Sequence, residues 1–303
     1  MPVPRSGEQF ASLPSGIDIC HETFGDAGDP PVLLIMGLGG PMGWWSDDLC
    51  TQLAGEGLFV IRYDNRDTGR STKLRQHRVS NVDVVRAFTG LGVTAPYGLE
   101  DLAEDAFGLL DHLGLERVHL VGVSMGGMIA QTMAIAAPDR ALSLTSIMSS
   151  TGKRTVGWQN PKVIPAMLGS AGRTRPAYVE RTLRTQRVIG SPAFPTDPDR
   201  ATARAVETYD RGWIASGVGR HMLAVLTQRD RTEDLERLDL PATVVHGLSD
   251  PLVNKSGGRA TAAAIPGAEL LEIAGMGHDL PVQLYGTFVE AICETIDRAS
   301  SRT

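Results

Sequence analysis

A single serine stands between two glycines at the point where an apolar strand gives way to an apolar helix. The pentapeptide GVSMG (residues 122–126) closes the run VHLVGV, whose unbroken apolar character predicts a strand buried on both faces. The next segment, MIAQTMAIAAP, predicts a helix. A turn this tight needs glycine at both shoulders, because any Cβ there would collide with the neighbouring strand or helix. Ser124 is therefore predicted to project its hydroxyl from the carboxyl edge of a sheet.

A serine hydroxyl is a weak nucleophile unless a base activates it, and the base must be oriented by an acid. His278 lies in the glycine-bounded loop GMGHDLP, directly after a predicted strand at 268–275. Asp250 lies in HGLSDPLV, just past the strand predicted at 241–247 and at the same sheet edge as Ser124. The chain order serine, aspartate, histidine is the one expected after a strand–turn–helix nucleophile. These three residues are the predicted catalytic triad.

Other candidates for the base and the acid fit less well. His246 ends a predicted strand, and a histidine there is expected to bond to the backbone. Asp279 adjoins the predicted base, but adjacent residues rarely aim their side chains at each other. The loop after the strand predicted at 142–148 contains no carboxylate. The remaining histidines lack both the loop context and the chain order: His21, His77, His112, His119 and His221.

A second glycine-rich stretch, MGLGGPMGWW (36–45), follows the apolar run PVLLIMG. A loop in this position supplies one amide of an oxyanion hole, and the residue after the nucleophile supplies the other. The amides of Leu38 and Met125 are the predicted donors, and Gly37 lets the backbone approach a substrate closely. The stretch matches neither GxxxxGK[ST] nor GxGxxG, so it does not predict a nucleotide site.

The order of the predicted elements indicates an α/β fold with a mostly parallel central sheet flanked by helices. IDICHETFG (17–25) alternates in polarity and predicts an edge strand. Strand patterns vanish over 151–237, where prolines and helical spacing take their place. We therefore predict a core domain formed by 1–150 and 238–303, with a helical cap inserted at 151–237. The cap holds 15 basic against 9 acidic residues, which either attract anionic substrates or form a solvated surface.

Composition excludes several classes of function. A net charge of −6 argues against nucleic-acid binding, which needs a basic surface. Cys20, Cys50 and Cys293 are odd in number and show no CxxC spacing, so neither a disulfide framework nor a metal site is expected. No apolar stretch reaches the length of a membrane span, and the N-terminus shows no signal peptide. The expected location is the cytoplasm.

Together, these motifs resemble those of the α/β-hydrolase superfamily over nearly the whole chain. The stretches at 61–72, 246–253 and 275–281 are similar to those of bacterial esterases related to aclacinomycin methylesterase, which removes a methyl ester from a polyketide antibiotic. The resemblance implies a helical cap and the hydrolysis of a carboxylic ester without a cofactor. The usual His-Gly of the oxyanion loop is here Met36–Gly37, which changes little because the donor is a backbone amide.

The predicted activity is that of a serine carboxylesterase acting on a small-molecule ester with an apolar or aromatic part. Trp158 and Trp213, with Met167, are predicted to line the substrate pocket. The charged turn DNRDTGRS (64–71) either anchors the substrate or braces the surrounding loops.

Alternative activities would use the same predicted triad on another bond, by C–C bond hydrolysis, lactone hydrolysis or perhydrolysis. A non-catalytic small-ligand receptor on a hydrolase scaffold is the alternative from a different class. Dehalogenase and epoxide hydrolase chemistry is disfavoured, because those enzymes resemble this fold but carry aspartate at the nucleophile position.

Overall fold

The computed structural model describes residues 3–163 and 174–302, and its centre is an eight-stranded sheet. Within these ranges, no helix combines the length and the apolar character needed to cross a bilayer. The strands are β1 (Gln9–Ser12), β2 (Asp18–Phe24), β3 (Pro31–Ile35), β4 (Phe59–Tyr63), β5 (Val118–Val123), β6 (Ala141–Ile147), β7 (Ala242–Gly247) and β8 (Glu269–Ile273). The helices are α1 (Asp47–Gly55), α2 (Asn81–Thr89), α3 (Leu99–His112), α4 (Met125–Ala136), α5 (Arg175–Ile189), α6 (Pro198–Asp210), α7 (Ala215–Thr227), α8 (Thr232–Leu235), α9 (Ser256–Ala264) and α10 (Tyr285–Ser300).

The strands lie in the order β1-β2-β4-β3-β5-β6-β7-β8. The pairs β1–β2 and β2–β4 are antiparallel, and every later pair is parallel, which confirms the mostly parallel sheet. The prediction that 17–25 forms an edge strand is wrong. β2 pairs with β4 on one side and with the short strand β1 on the other, where Phe10 lies opposite Cys20.

The strand order reverses at β3, which has β4 on one side and β5 on the other. In parallel sheets, ligands bind outside the carboxyl ends of the strands at such a reversal. Ile35 at the end of β3 is paired with Gly122 near the end of β5. The topology therefore brings the glycine-rich loop after β3 next to Ser124 after β5.

Alternate residues of the central strands face two separate apolar layers, as the pleat of a strand requires. Leu33 and Ile35 pack in one cluster with residues of α3 and α4. Val32 and Leu34 pack in the other with residues of α1 and α10. Burial on both faces explains why these strands are unbroken apolar runs in the sequence.

Between β6 and β7, the described residues form the helices α5 to α8. We call residues 151–237 the inserted segment; its role as a cap over a core domain stays a prediction. Arg220 of α7 forms an ion pair with Asp67 in the loop after β4, with 2.7 Å between Nη2 and Oδ1 and both side chains fully buried. The Tyr97 hydroxyl also donates to Asp67, at 2.7 Å. A buried pair of this kind holds two elements together because losing either partner would leave an uncompensated charge.

Candidate active site

Ser124 occupies the sharp turn between β5 and α4. Its backbone has φ 56° and ψ −119°, a conformation that residues with a side chain rarely adopt. A Cβ on Gly122 would lie 2.2 Å from the Gly126 oxygen, and a Cβ on Gly126 would lie 2.0 Å from the Ile35 oxygen. Backbone crowding on both sides of the turn is therefore the reason for the two glycines.

His278 lies within hydrogen-bond distance of both Ser124 and Asp250. His278 Nε2 lies 3.0 Å from Ser124 Oγ, and His278 Nδ1 lies 2.7 Å from Asp250 Oδ2. The other carboxylate oxygen accepts hydrogen bonds from the amides of Leu252 and Val253, at 2.8 and 2.9 Å. A carboxylate only accepts, so the imidazole proton is assigned to Nδ1 and the lone pair of Nε2 faces the serine hydroxyl.

His246 lies beside this constellation without joining it. Its Nε2 donates to the Val253 carbonyl at 2.9 Å, which is the backbone bond predicted for a histidine at the end of a strand. The same nitrogen lies 3.8 Å from Asp250 Oδ2. Burial lowers the pKa of His246, so its ring is neutral and does not compete with His278 for the aspartate.

The loop at 36–45 passes directly against Ser124. A Cβ on Gly37 would lie 3.2 Å from Ser124 Cβ and 3.8 Å from its Oγ. Among the described residues, none accepts a hydrogen bond from the amides of Leu38 or Met125. Met125 is the first residue of α4, where amides have no partner within the helix. Both predicted donors are therefore available to a substrate oxygen.

The charged turn at 64–71 supports this loop. Asn65 Nδ2 donates to the Met36 carbonyl at 3.1 Å. Asp64 Oδ1 accepts from the Met42 amide at 2.7 Å. These bonds hold the glycine-rich stretch at Met36 and at Met42, and they favour the bracing interpretation of the turn over substrate anchoring.

The family model of the alpha/beta hydrolase fold matches residues 30–283, a range that includes Ser124, Asp250 and His278. The chain belongs to the α/β-hydrolase family. This match confirms both the fold class and the resemblance that the motifs indicated.

This α/β-hydrolase is similar over its length to proteins with several hydrolytic activities. It is 30% identical over 297 residues to a rhodomycin D methylesterase of Streptomyces peucetius, covering 91% of this chain and 94% of the relative. It is 25% identical over 274 residues to 3-oxoadipate enol-lactonase 2 of Acinetobacter baylyi, covering 90% and 91%. A solved meta-cleavage product hydrolase of Pseudomonas fluorescens shares the fold, with a TM-score of 0.74 at 18% identity and coverage of 96% and 98%.

Two serines that the sequence analysis left without a role hold the site of this α/β-hydrolase in place. Ser149 Oγ donates to the Ser124 carbonyl at 2.8 Å. Ser191, in the inserted segment, accepts from the Gly277 amide at 2.8 Å, and its own amide donates to Asp279 at 3.0 Å. The partners are 25 to 88 positions apart, so no local pattern in the sequence signals these contacts.

Among the described residues, the two predicted pocket tryptophans make no hydrogen bond or ring contact with the predicted triad. The Trp158 residue is 55% exposed. Trp213 packs against Tyr178, with 4.5 Å between ring centroids, and against Tyr209. These partners belong to the inserted segment rather than to the loops that carry the predicted triad. Met167 lies outside the described residues. The role of the tryptophans in a pocket stays a prediction.

Proposed function

We propose that this α/β-hydrolase is a serine carboxylesterase that cleaves a small-molecule ester with an apolar or aromatic part. The observation that carries the proposal is the hydrogen-bonded chain from Ser124 through His278 to the buried carboxylate of Asp250. The similarity to a methylesterase over 91% of the chain supports a carboxylic ester as the substrate.

In the first half of the reaction, Ser124 Oγ attacks the ester carbonyl and His278 Nε2 takes its proton. Asp250 keeps the imidazole in the required tautomer and stabilises the imidazolium that forms. The carbonyl oxygen becomes an oxyanion that accepts hydrogen bonds from the Leu38 and Met125 amides. Each such donor contributes roughly 3 kcal/mol to stabilising the transition state. The C–O bond then breaks, and the alcohol leaves with the proton from His278.

In the second half, water hydrolyses the acyl-enzyme through the same groups. His278 takes a proton from the water as its oxygen attacks the acyl carbon. The second tetrahedral intermediate collapses, the bond to Ser124 Oγ breaks, and His278 returns the proton to the serine. The products are a carboxylic acid and an alcohol, and no cofactor enters the balance.

The cytoplasm remains the proposed location. All three cysteines are free thiols. Burial raises the pKa of Cys20 and of Cys50 to about 12, so both stay protonated and unreactive at neutral pH. Such thiols suit a reducing compartment.

Lactone hydrolysis is the second candidate, because the chain is similar to an enol-lactonase over 90% of its length. A lactone is a cyclic ester, so the attack and the oxyanion are the same. The difference is that the alcohol released in the first half stays attached to the acyl group.

A substrate panel tests the proposal. We expect the wild-type enzyme to hydrolyse p-nitrophenyl esters and methyl esters of bulky aromatic acids. We expect much lower rates with lactones and with vinylogous diketones. A fluorophosphonate probe should label the wild type at Ser124, and the Ser124→Ala variant should remain unlabelled.

Each other outcome of the panel selects a different function. Turnover confined to lactones or diketones would overturn ester hydrolysis as the native reaction. The absence of both turnover and labelling would favour a non-catalytic receptor on this scaffold.

A further inference from the structure

His221, on α7 of the inserted segment, contacts the loop that carries the proposed oxyanion donor. Its Nδ1 accepts a hydrogen bond from the Gly39 amide at 3.2 Å. Its Nε2 donates to the Arg66 carbonyl at 2.8 Å. The side chain is fully buried, so water does not compete for either bond.

Only one tautomer of His221 satisfies both contacts. The Arg66 carbonyl can only accept, so the proton lies on Nε2 and Nδ1 offers its lone pair to Gly39. Burial lowers the pKa of His221 to about 4, and the ring therefore stays neutral around pH 7. The bond holds the peptide unit between Leu38 and Gly39, one unit along the chain from the amide proposed to bind the oxyanion.

The helix that presents His221 is itself fixed. The adjacent residue, Arg220, forms the buried ion pair with Asp67. One turn earlier, Val218 packs on Gly39, where an added Cβ would meet its Cγ2 at 3.1 Å. The glycine has φ 68°, so a side chain there would also be strained.

We propose that His221 is a positioning residue that holds the Leu38 amide in place for the oxyanion. The inference rests on the proposed function. An oxyanion exists only in the transition state and the tetrahedral intermediate, so a displaced donor lowers kcat and leaves KM nearly unchanged.

Two substitutions by amide side chains test the two hydrogen bonds of the His221 ring separately. His221→Asn places an amide oxygen near Nδ1 and keeps an acceptor for Gly39. His221→Gln places its amide near Nε2, keeps the bond to Arg66 and leaves Gly39 without an acceptor. We expect the glutamine variant to lose about 10- to 100-fold in kcat, and the asparagine variant to stay within about 5-fold of wild type.

The measurement is kcat and KM for one p-nitrophenyl ester, with the melting temperature of each variant. Equal losses of kcat in both variants, or losses that follow the melting temperature, would overturn the positioning role. Retained activity in Ser124→Ala would instead show that the proposed function is wrong. The two failures are therefore distinguishable.

A separate observation concerns Arg204 on α6. Its guanidinium carbon lies 5.4 Å from the centre of the Trp44 ring. That ring packs on the loop after β3, where a Cβ on Gly40 would lie 2.8 Å from it. Burial lowers the pKa of Arg204, and the charge of Asp279, which adjoins His278, partly offsets that effect. Arg204 therefore lies against Trp44, which belongs to the loop with the proposed oxyanion donor.

In the part of the chain that the structure describes, the guanidinium of Arg204 has no carboxylate counter-ion. Among the described residues, no carboxylate lies within 4.0 Å of Arg204, and none accepts a hydrogen bond from it. The stretch 164–173, IPAMLGSAGR, contains neither Asp nor Glu. Asp279 Oδ1 instead accepts a hydrogen bond from the Ser191 amide. Burial lowers the pKa of Arg204, which reflects the cost of a charge largely removed from water.

We infer that Arg204 binds an anionic oxygen of the substrate, of the carboxylate class. This second inference also rests on the proposed function, and it favours the interpretation that the basic surplus of the inserted segment serves anionic substrates. A substrate carboxylate would supply the counter-ion that the described residues do not provide, since a guanidinium and a carboxylate form a strong charge-assisted pair.

A matched pair of esters tests Arg204: p-nitrophenyl butyrate, which is neutral, and mono-p-nitrophenyl glutarate, which carries a carboxylate. We expect the wild type to have the higher kcat/KM for the glutarate. In Arg204→Met, the ratio of kcat/KM for glutarate over butyrate should fall about 10- to 100-fold. Arg204→Lys should retain part of the ratio, because it keeps the charge and loses the planar fork.

Arg200 provides a control on the same helix. Its side chain is 51% exposed and paired with Asp48. We expect Arg200→Met to leave the ratio unchanged. A ratio that does not respond to Arg204→Met, or that falls equally in both variants, would overturn the inference. No turnover of either ester would point to failure of the proposed function instead.

Discussion

Replacing Ser124 with alanine is expected to lower kcat for ester hydrolysis by about 10⁴-fold or more. The substitution removes the attacking oxygen, and no other nucleophile faces His278 Nε2 in the described structure. The measurement is the turnover of p-nitrophenyl esters by the purified variant, alongside its melting temperature. Turnover near the wild-type rate in a folded alanine variant would overturn the assignment of the nucleophile.

Stability provides the control for this experiment. Alanine at φ 56° carries the same backbone strain as serine, so Ser124→Ala should melt close to the wild type. Glycine adopts this conformation freely. Ser124→Gly should therefore be equally inactive and more stable by about 1 kcal/mol. An inactive alanine variant that is also unfolded would fail this control, and the glycine variant would then decide the assignment.

Replacing Asp250 with asparagine is expected to lower kcat by about 10⁴-fold while the fold is retained. The asparagine oxygen can still accept from the Leu252 and Val253 amides. Its NH₂ group then faces His278 Nδ1, which must accept rather than donate. The imidazole proton moves to Nε2, where it points at the Ser124 hydroxyl, and the ring can no longer act as a base.

Asp279→Asn is the matched control for Asp250→Asn. Asp279 is also an acid beside His278 in the chain, but its Oδ1 accepts a hydrogen bond from the Ser191 amide. We expect it to cost less than about 10-fold in kcat, a loss typical of a displaced rather than missing group. Kinetics and melting temperatures of both variants check the pair. Equal losses in both variants, or a greater loss in Asp279→Asn, would contradict the choice of Asp250 as the acid.

Local patterns located the strands well. Each predicted strand begins and ends within two residues of the observed one. Buried strands such as β3 and β5 are located well because they need a continuous apolar run. The position of β2 within the sheet and the end of one helix were harder to predict. β1 has only four residues, too few to show an alternating pattern, and missing it led to the wrong edge assignment for β2. Helix α6 ends at Asp210 within the segment of helical spacing, because Gly212 with φ 97° turns the chain.

The sequence by itself determined the turn at Ser124, because the steric demand for glycine acts between near neighbours in the chain. It also determined the order along the chain of the proposed nucleophile, acid and base. Only the tertiary structure decided how the loops around that turn are held. His221 reaches Gly39 across 182 positions, and Ser191 reaches Asp279 across 88. Such contacts depend on how the inserted segment packs on the sheet, and packing at that separation leaves no periodic pattern in the residues that make it.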